Sequence, residues 1–375
     1  MDKILHISNC FTMSKVHKEL YSSLDRLGVH QVIYSAFAEK QRIGANRFEA
    51  EHTEFIYAPI VRKMHRYLYL WKMIRVTLSV IFRVRMKEIS CMHASTLFSD
   101  GGVAYLLHLL FGRPYVVSVR TTDLKAFLNH KPYLRFVAYR IIRHAEQVMF
   151  ITPALKNSML ENKYFASRRT EIEQKSLVIP NGINDYWHGH IDTGHPAGNH
   201  SVAYIGRFDT NKNVLRLVQA VLDLIPEIPD IRLNLVGGDG EQQDEVLAYC
   251  RKDPAHFSYL GKIHDPAQLR DFYRSNAVFA MISRAETFGL VYVEALSQGL
   301  SVLYTKGQGI DGLFPQHVGV AVHPFRQEEI TAGLRALLVE TPSFQRLPES
   351  AFADFRWSNI AGKYKALYER ITNCL

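Results

Sequence analysis

Cysteine is scarce in this chain of 375 residues, which contains four, all widely separated. None belongs to a Cys-x-x-Cys pair, so a disulfide framework and a cysteine zinc site are excluded, and a reducing compartment fits. No apolar run approaches the roughly 20 residues that a membrane-spanning helix needs. The first residues enter a strand-like run without a signal-peptide pattern. We therefore expect a soluble, cytoplasmic protein.

Internal repeats and low-complexity tracts are also missing. The hydrophobic and charged fractions, 47% and 22%, are typical of a globular protein and argue against long disorder. The length exceeds the size at which a single hydrophobic core usually stops growing, so we predict two domains.

Positive charge is concentrated in the first half of the chain. Residues 1–185 contain 27 Lys and Arg against 15 Asp and Glu, whereas residues 186–375 contain 18 against 21. This asymmetry favours an anionic partner for the first half, such as membrane lipid or a lipid-linked phosphate. No compact aromatic–basic motif for nucleic acid occurs, so we expect no nucleic-acid partner.

Residues 61–87 are crowded with basic and aromatic side chains. One hypothesis is an interfacial element that makes peripheral contact with an anionic membrane. The alternative is a solvated basic helix pair, because in an ideal helix these charges would not collect on one face.

Strand-like and helix-like segments alternate along most of the chain, which is typical of doubly wound parallel α/β sheets. Residues 184–200 interrupt the alternation, are rich in Gly, His, Asp and Pro, and predict an interdomain linker. We predict two Rossmann-like domains, residues 1–183 and 201–355, which face one another across a cleft. The C-terminal helix, residues 356–375, is expected to pack back on the first domain.

The stretch Ser283–Gly299 places two glutamates around a strand-to-helix turn. Glu286 precedes Phe288-Gly289, and Glu294 follows Glu286 by eight residues within an apolar helical run. Two carboxylates beside a helix start suit a ligand that has both phosphates and hydroxyls, as a nucleotide sugar does. The stretch by itself is somewhat more typical of an amphipathic helix with an ordinary acid in its first turn.

Two cations follow the first strand of the second half. Arg207 comes directly after Gly206, and Lys212 lies five residues beyond Arg207. Glycine allows a ligand to approach the backbone closely, and two positive charges suit a diphosphate leaving group, on which negative charge grows. The alternative is two surface cations after a strand. The glycine-rich turn at Val236–Gly240 is weak evidence for a phosphate cradle, because its spacing is not Gly-x-Gly-x-x-Gly.

In their order along the chain these residues resemble the retaining family 4 glycosyltransferases of GT-B fold, with their Glu-x7-Glu motif ("glycosyl transferases group 1"). The resemblance spans nearly the whole chain. In the first half and at the end it rests on Met92–Asp100, Val119–Asp123, Ser176–Ile183 and Phe355–Trp357.

The resemblance implies transfer of a sugar, with retention, from a nucleoside diphosphate sugar to a glycan or lipid-linked acceptor. A UDP-sugar is the default donor, and no metal or other cofactor is implied. The setting it implies is the biosynthesis of a cell-surface polysaccharide, such as lipopolysaccharide or capsule, at the inner face of the cell membrane.

The resemblance also implies roles for individual residues. Arg207 and Lys212 would meet the diphosphate, and Glu286 would hold the transferred sugar; these three are the catalytic candidates. Glu294 would hold the ribose hydroxyls. The other donor-binding candidates are Gly206, Gly237, Ile263, Phe288, Gly289 and Leu290. The acceptor-side candidates are His93, Arg120 and Asp123.

The first half departs from the family pattern at Arg120 and Ser95, where many relatives carry histidines, and in the Ser8–Ser14 loop, which lacks a glycine pair. Arginine cannot act as a base, although it can stabilise an anion. His93 is also compatible with a core histidine at a strand end. The rival functions are a GT-B-type sugar-nucleotide epimerase or phosphorylase, and a non-catalytic protein that binds nucleotide sugars or other anions.

Overall fold

The computed structural model describes residues 3–62, 68–128, 131, 133–192, 194, 199–339 and 347–373. The chain divides into two compact units. The first comprises Met1–Ile151, Leu155–Gly182 and Trp357–Leu375, and the second comprises Thr152–Ala154 and Ile183–Arg356. Each unit contains one parallel sheet, so the predicted α/β class with two Rossmann-like sheets is confirmed.

The first sheet has seven strands in the order β3-β2-β1-β4-β5-β6-β7. The strands are β1 (Lys3–Ile7), β2 (Gln31–Ala36), β3 (Thr53–Ala58), β4 (Ile89–Ala94), β5 (Tyr115–Ser118), β6 (Gln147–Phe150) and β7 (Ser176–Val178). The helices are α1 (Lys15–Arg26), α2 (Tyr69–Arg83), α3 (Gly101–Phe111), α4 (Leu134–His144), α5 (Pro153–Leu160), α6 (Arg169–Gln174) and, at the end of the chain, α13 (Trp357–Thr372).

α13 packs against α1 in the core of the first unit. Leu20 and Leu24 of α1 share one helix face because they are four residues apart, and they join Ile360 and Tyr364 of α13 in one buried apolar cluster. Ile4 of β1 belongs to the same cluster. The last helix is therefore a structural part of the first unit, although it follows the second unit in the chain.

The second sheet has six strands in the order β10-β9-β8-β11-β12-β13. The strands are β8 (Ser201–Gly206), β9 (Arg232–Gly237), β10 (Phe257–Tyr259), β11 (Val278–Ala280), β12 (Ser301–Thr305) and β13 (Gly319–Val322). The helices are α7 (Asp185–His188), α8 (Val214–Leu224), α9 (Gln243–Lys252), α10 (Pro266–Arg274), α11 (Leu290–Ser297) and α12 (Gln327–Val339). The strand order reverses between β8 and β11, and such a switch point is where open α/β sheets bind ligands, at the carboxyl ends of the strands.

Residues 184–200 differ from the predicted linker, because their first part is folded into the second unit. The Asn184 side chain accepts a hydrogen bond from the backbone N–H of Tyr186 at 2.8 Å and so caps α7. Trp187 is buried against the ring of Tyr273. One large aromatic side chain thus anchors a stretch whose Gly and Pro content indicated a linker.

Candidate active site

The candidate site lies on two loops that leave β8 and β11, the strands on either side of the switch point. One loop runs from Gly206 to Asn213, and the other runs from Met281 to Gly289. The loops are joined by backbone and side-chain hydrogen bonds: Arg284 N–H donates to the Asn211 carbonyl at 2.7 Å, and the Asn211 amide donates to the Ala285 carbonyl at 3.1 Å. The strand order therefore brings together two segments that are about 70 residues apart in sequence.

Lys212 and Glu286 form an ion pair at this edge. The Lys212 Nζ lies 2.8 Å from Glu286 Oε2, and the side chains are only 24% and 11% exposed. The Ser283 hydroxyl donates to the same Oε2 at 3.3 Å, and the Thr287 N–H donates to Oε1 at 3.0 Å. Such a pair is well screened from water, so the structure holds an ammonium and a carboxylate side by side at the predicted position.

The turn that carries Glu286 depends on Gly289. This residue has φ of 78°, directly before α11, and a Cβ there would run into the ring of Tyr292. Only glycine adopts this conformation without strain. The Glu286 N–H donates to the Gln308 side chain at 2.9 Å, which holds the backbone at Glu286 from the loop after β12.

Glycines end three neighbouring strands of the second sheet. Gly206 of β8 pairs in register with Gly237 of β9, whose N–H donates to the carbonyl of Gly261, just after β10, at 2.9 Å. Gly237 has φ of 125°, and a Cβ on it would collide with the Gly206 carbonyl oxygen. This edge of the sheet therefore presents backbone without side chains, a surface that a flat or phosphorylated ligand can approach.

Arg207 projects from the same edge, and its side chain is 67% exposed. Its Nε donates to the Asp239 carbonyl at 2.9 Å and lies 3.4 Å from a carboxylate oxygen of Asp209. The second oxygen of Asp209 accepts the backbone N–H of Lys212 at 2.8 Å. One carboxylate thus contacts both predicted cationic residues, a role for Asp209 that sequence reasoning missed although Asp209 lies between them.

Glu294 lies inside α11, where its carboxyl contacts two aromatic side chains. The Tyr273 hydroxyl donates to Oε2 at 3.2 Å, and Trp187 also donates a side-chain hydrogen bond to the carboxyl. Burial raises the pKa of Glu294 to about 7, although both hydrogen bonds act in the opposite direction. The interpretation of Glu294 as part of an ordinary solvated helix face does not fit this environment.

The remaining donor-side candidates occupy different settings in the second unit. Phe288 is buried, and its ring lies 6.4 Å from that of Phe355. Leu290 is the first residue of α11 and is partly exposed. Ile263 follows the end of β10 by four residues and is also partly exposed. Binding roles for these residues stay predictions.

The acceptor-side candidates lie in the first unit, and each is engaged in contacts there. His93 is buried in β4 between the Tyr368 hydroxyl at 2.7 Å and the Ser118 hydroxyl at 3.0 Å. Burial, with a smaller effect from the charge of Arg120, lowers the pKa of His93 to about 3. This is the environment of a core histidine that stays neutral near pH 7.

Arg120 and Asp123 form a local structure at the carboxyl end of β5. The Asp123 carboxylate accepts the backbone N–H of Arg120 at 2.8 Å and that of Leu97 at 3.1 Å, and burial raises its pKa to about 6. The Arg120 Nε donates to the Ser95 carbonyl at 3.2 Å. Through these hydrogen bonds the two residues connect the loop after β5 with the loop after β4. An acceptor role for either of them stays a prediction.

A second buried acid at this edge, Asp100, was not singled out from the sequence. Its carboxylate accepts the Asn9 N–H at 3.3 Å and the Thr96 hydroxyl at 3.0 Å. Burial raises the pKa of Asp100 to about 7, and the nearby Lys72 charge opposes that shift. Its position before α3, at a helix start, is the sequence signal that favours an acid there.

Comparison with known proteins gives two family matches and several similar chains. The family model for glycosyl transferases group 1 matches residues 188–353, and the glycosyl transferase 4-like model matches residues 12–182. A phosphatidyl-myo-inositol mannosyltransferase of Mycobacterium tuberculosis is 25% identical over 226 residues, which are 55% of this chain and 57% of that protein. The chain thus matches little more than half the length of that relative.

The solved structures that resemble this chain cover nearly all of it. A sucrose-phosphate synthase from Thermosynechococcus elongatus superposes with a TM-score of 0.71 at 19% identity and covers 100% of both chains. Anabaena HepE in complex with UDP superposes with a TM-score of 0.67 at 18% identity and covers 98% of this chain and 100% of its own. At these identities the likeness shows the shared GT-B fold.

Proposed function

The chain belongs to the family 4-like glycosyltransferases, and from this premise we propose that it transfers a sugar from a nucleoside diphosphate sugar to a glycan or lipid-linked acceptor. The observation that carries the proposal is the Lys212–Glu286 pair, 2.8 Å apart at the switch point of the second sheet. A sugar diphosphate needs a cation for the phosphate and an acceptor for the hydroxyls, and the pair offers both within one contact.

The proposed mechanism is dissociative and retains the anomeric configuration. The bond from the anomeric carbon to the diphosphate oxygen breaks, and its electron pair stays on that oxygen. Lys212 and the exposed Arg207 stabilise the charge that develops there, so we propose that these cations meet it without a metal ion. The acceptor hydroxyl attacks from the same face of the sugar, and its proton goes to the departing phosphate oxygen. The acceptor proton therefore has a destination without a protein base.

The two glutamates have separate roles in this proposal. Oε1 of Glu286 accepts one backbone N–H, from Thr287, while Oε2 faces Lys212 and Ser283. Since a carboxylate oxygen has more than one lone pair, Oε1 keeps capacity for a sugar hydroxyl. We propose that Glu294 accepts ribose hydroxyls, which would add to the hydrogen bonds that its carboxyl receives from Tyr273 and Trp187.

The nature of the donor and of the acceptor is proposed from the comparisons. HepE, a similar structure, is described in complex with UDP, which supports UDP as the nucleotide to test first. A phosphatidyl-myo-inositol mannosyltransferase, by its name, acts on a lipid. A lipid-linked acceptor met at the inner face of the cell membrane, in the synthesis of a cell-surface polysaccharide, is consistent with both.

The experiment that tests the function is incubation with a panel of nucleotide sugars, with release of the nucleoside diphosphate as the readout. Glu286→Gln and Arg207→Ala should each reduce turnover by roughly 10²-fold or more, because each removes a group that acts on the reacting sugar diphosphate. Arg335→Ala is the matched control, since Arg335 is exposed on α12, pairs with Glu227 and lies outside the two site loops. Thermal unfolding should show that all three variants remain folded at the assay temperature, with some loss of stability in Glu286→Gln, which leaves Lys212 without its partner.

Four outcomes decide against parts of the proposal. Turnover close to that of the unmodified chain in both site variants would refute the site. Conversion of the sugar without release of the diphosphate would indicate an epimerase, and dependence on inorganic phosphate would indicate a phosphorylase. An inverted anomer in the NMR spectrum of the first product would refute retention.

A further inference from the structure

The helix α2 is apolar on two sides, and only one of them is covered. Its inner side buries Met73, Val76 and Val80. This side packs closely on α3, since a Cβ on Gly102 would come within 2.7 Å of the Met73 sulfur. A soluble helix normally carries polar residues on its outer side.

The outer side of α2 carries large apolar residues instead. Phe82 is 84% exposed and Trp71 is 55% exposed. At 3.6 residues per turn, Trp71, Ile74, Leu78 and Phe82 fall within an arc of about 80°. The C-terminal end of α3 adds further exposed apolar residues. We call this surface the α2–α3 apolar face; its exposed members are Leu70, Trp71, Ile74, Leu78, Phe82, Leu109, Leu110 and Phe111.

The two helices meet at their C-terminal ends. Near their N-terminal ends, Gly102 of α3 lies against Tyr69 and Met73 of α2. The Arg113 side chain, just after α3, lies 3.5 Å from the Lys87 carbonyl, just after α2. The neighbouring ends of α2 and α3 thus both carry exposed apolar residues, and exposed apolar surface of this extent on a soluble protein marks an interaction surface.

The charges around the α2–α3 apolar face are mostly positive, and the acid nearest its end in sequence, Glu88, is paired with Lys3 and Arg85. The sequence contains no Asp or Glu between Glu54 and Glu88, whereas it contains eight Lys and Arg in that interval. Arg83 and Lys87 are exposed at the end of α2. α2 and α3 themselves contain no acidic residue, and both are fully within the described part of the chain.

We propose that the α2–α3 apolar face docks on an anionic lipid bilayer, with the apolar side chains in the headgroup boundary and Arg83 and Lys87 against the lipid phosphates. Charge complementarity favours this occupant over a second copy of the chain, because pairing two such faces would bring the exposed Arg83 and Lys87 of each copy against those of the other. The inference deepens the proposed function, because a lipid-linked acceptor would be presented at this surface.

The proposed docking leaves the helix lying in the plane of the membrane. α2 has 15 residues, and in the described part of the chain no helix is long and apolar enough to cross a bilayer. A helix that lies flat binds through its buried apolar area and through attraction of its cations to anionic lipid. Each Lys or Arg near the surface is expected to contribute about a fivefold change in partitioning.

Trp71 gives the test a built-in reporter. The chain has three tryptophans, and Trp187 and Trp357 are only 3% and 5% exposed. A change in fluorescence on vesicle binding therefore reports on Trp71. The full chain, without any nucleotide sugar, is mixed with vesicles of phosphatidylcholine alone or with a quarter of phosphatidylglycerol, and both emission and cosedimentation are measured.

The expected result is a blue shift and cosedimentation with the anionic vesicles, both weakened by salt. Leu78→Ser with Phe82→Ser should reduce partitioning by roughly tenfold or more, because two apolar side chains are lost from the membrane boundary. The matched control is Leu260→Ser with Val339→Ser, two exposed apolar residues of the second unit, 50% and 55% exposed, and it should partition normally. Arg83→Glu with Lys87→Glu should also reduce partitioning to anionic vesicles by about tenfold or more.

Two results would overturn the proposal. Absence of both the blue shift and cosedimentation with anionic vesicles would exclude the docking. A dimer in sedimentation equilibrium that the Leu78 and Phe82 changes convert to monomer, without an effect on vesicles, would assign the face to a second copy. Since the vesicle assay contains no nucleotide sugar, it tests membrane docking independently of the donor-hydrolysis assay that tests the proposed function.

Discussion

Replacement of Glu294 by glutamine should change the stability of the second unit and its proposed donor binding in opposite directions. The side chain keeps its size and an oxygen that can accept the hydrogen bond of Tyr273, but it loses its charge. Burial raises the pKa of this carboxyl from the ordinary 4.5 to about 7, so the ionised form is disfavoured in the folded chain. An amide at this position has no such penalty.

The size and the pH dependence of the effect follow from the two pKa values. Between them the folded chain holds a proton that the unfolded chain has lost, so stability falls as pH rises from about 4.5 to about 7. Above pH 7 the whole penalty, up to about 3 kcal/mol, is present. Glu294→Gln should therefore increase the free energy of unfolding by up to that amount at pH 8, and by under about 1 kcal/mol at pH 5.

The assay is urea unfolding at pH 5 and pH 8, with calorimetric titration of UDP at pH 8 beside it. The variant should be more stable yet bind UDP roughly tenfold or more weakly, because an amide is a poorer acceptor for ribose hydroxyls. Glu241→Gln is the control, since that exposed carboxylate has its pKa lowered to about 2 by hydrogen bonds from Thr210 and should give no gain at pH 8. A Glu294→Gln chain without added stability at pH 8 would refute the burial argument, and unchanged UDP affinity would refute the ribose role.

Two further predictions concern residues that support the candidate sites. Gly240→Ala should destabilise the chain by about 3 kcal/mol or more in urea unfolding, since a Cβ there would collide with the backbone of Phe208. The control is Gly362→Ala in α13, where a Cβ would meet nothing within 4 Å; it should stabilise the chain by up to about 1 kcal/mol, and equal effects of the two changes would contradict the steric argument. His93→Phe should lower stability by about 1–3 kcal/mol because the Tyr368 and Ser118 hydroxyls lose their partner. The pH profile of donor hydrolysis should not change between pH 5 and 8, since the pKa of His93 is about 3; a changed profile would favour a catalytic histidine.

The sequence predicted the two sheets because the alternation of apolar strands and amphipathic helices is a local signal. It also predicted that Lys212 and Glu286 follow strands of one sheet. It did not predict that they form an ion pair, because that contact joins residues 74 positions apart and depends on β8 and β11 being neighbours. Strand order is a property of the whole sheet, and the spacing within one motif does not contain it.

In two segments the positions of individual side chains decide the structure, and the overall composition does not. Residues 184–200 have the Gly and Pro content of a linker, but the burial of Trp187 and the capping by Asn184 fold their first part into the second unit. In residues 61–87 the spacing of the charges predicts no charged stripe on an ideal helix. The stripe on α2 consists of the apolar residues Trp71, Ile74, Leu78 and Phe82. The sequence does not show that they are exposed, because that depends on which side of α2 packs against the rest of the unit.

The carboxyl edge of the second sheet concentrates features that are unfavourable without a ligand. Glu294 is a buried acid whose charge is disfavoured. Asp239 has φ of 56°, a conformation that costs about 1 kcal/mol or more for a residue with a side chain. The Arg207 side chain is 67% exposed, and its charge is available to a phosphate. A ligand with hydroxyl donors and two phosphates would donate hydrogen bonds to Glu294 and would pair with the charge of Arg207. Donor binding should therefore raise the free energy of unfolding of this unit by RT ln(1 + [L]/Kd). Ligands that contain only the sugar or only inorganic phosphate meet one of these needs, and for that reason they should stabilise the chain less than UDP does at equal concentration.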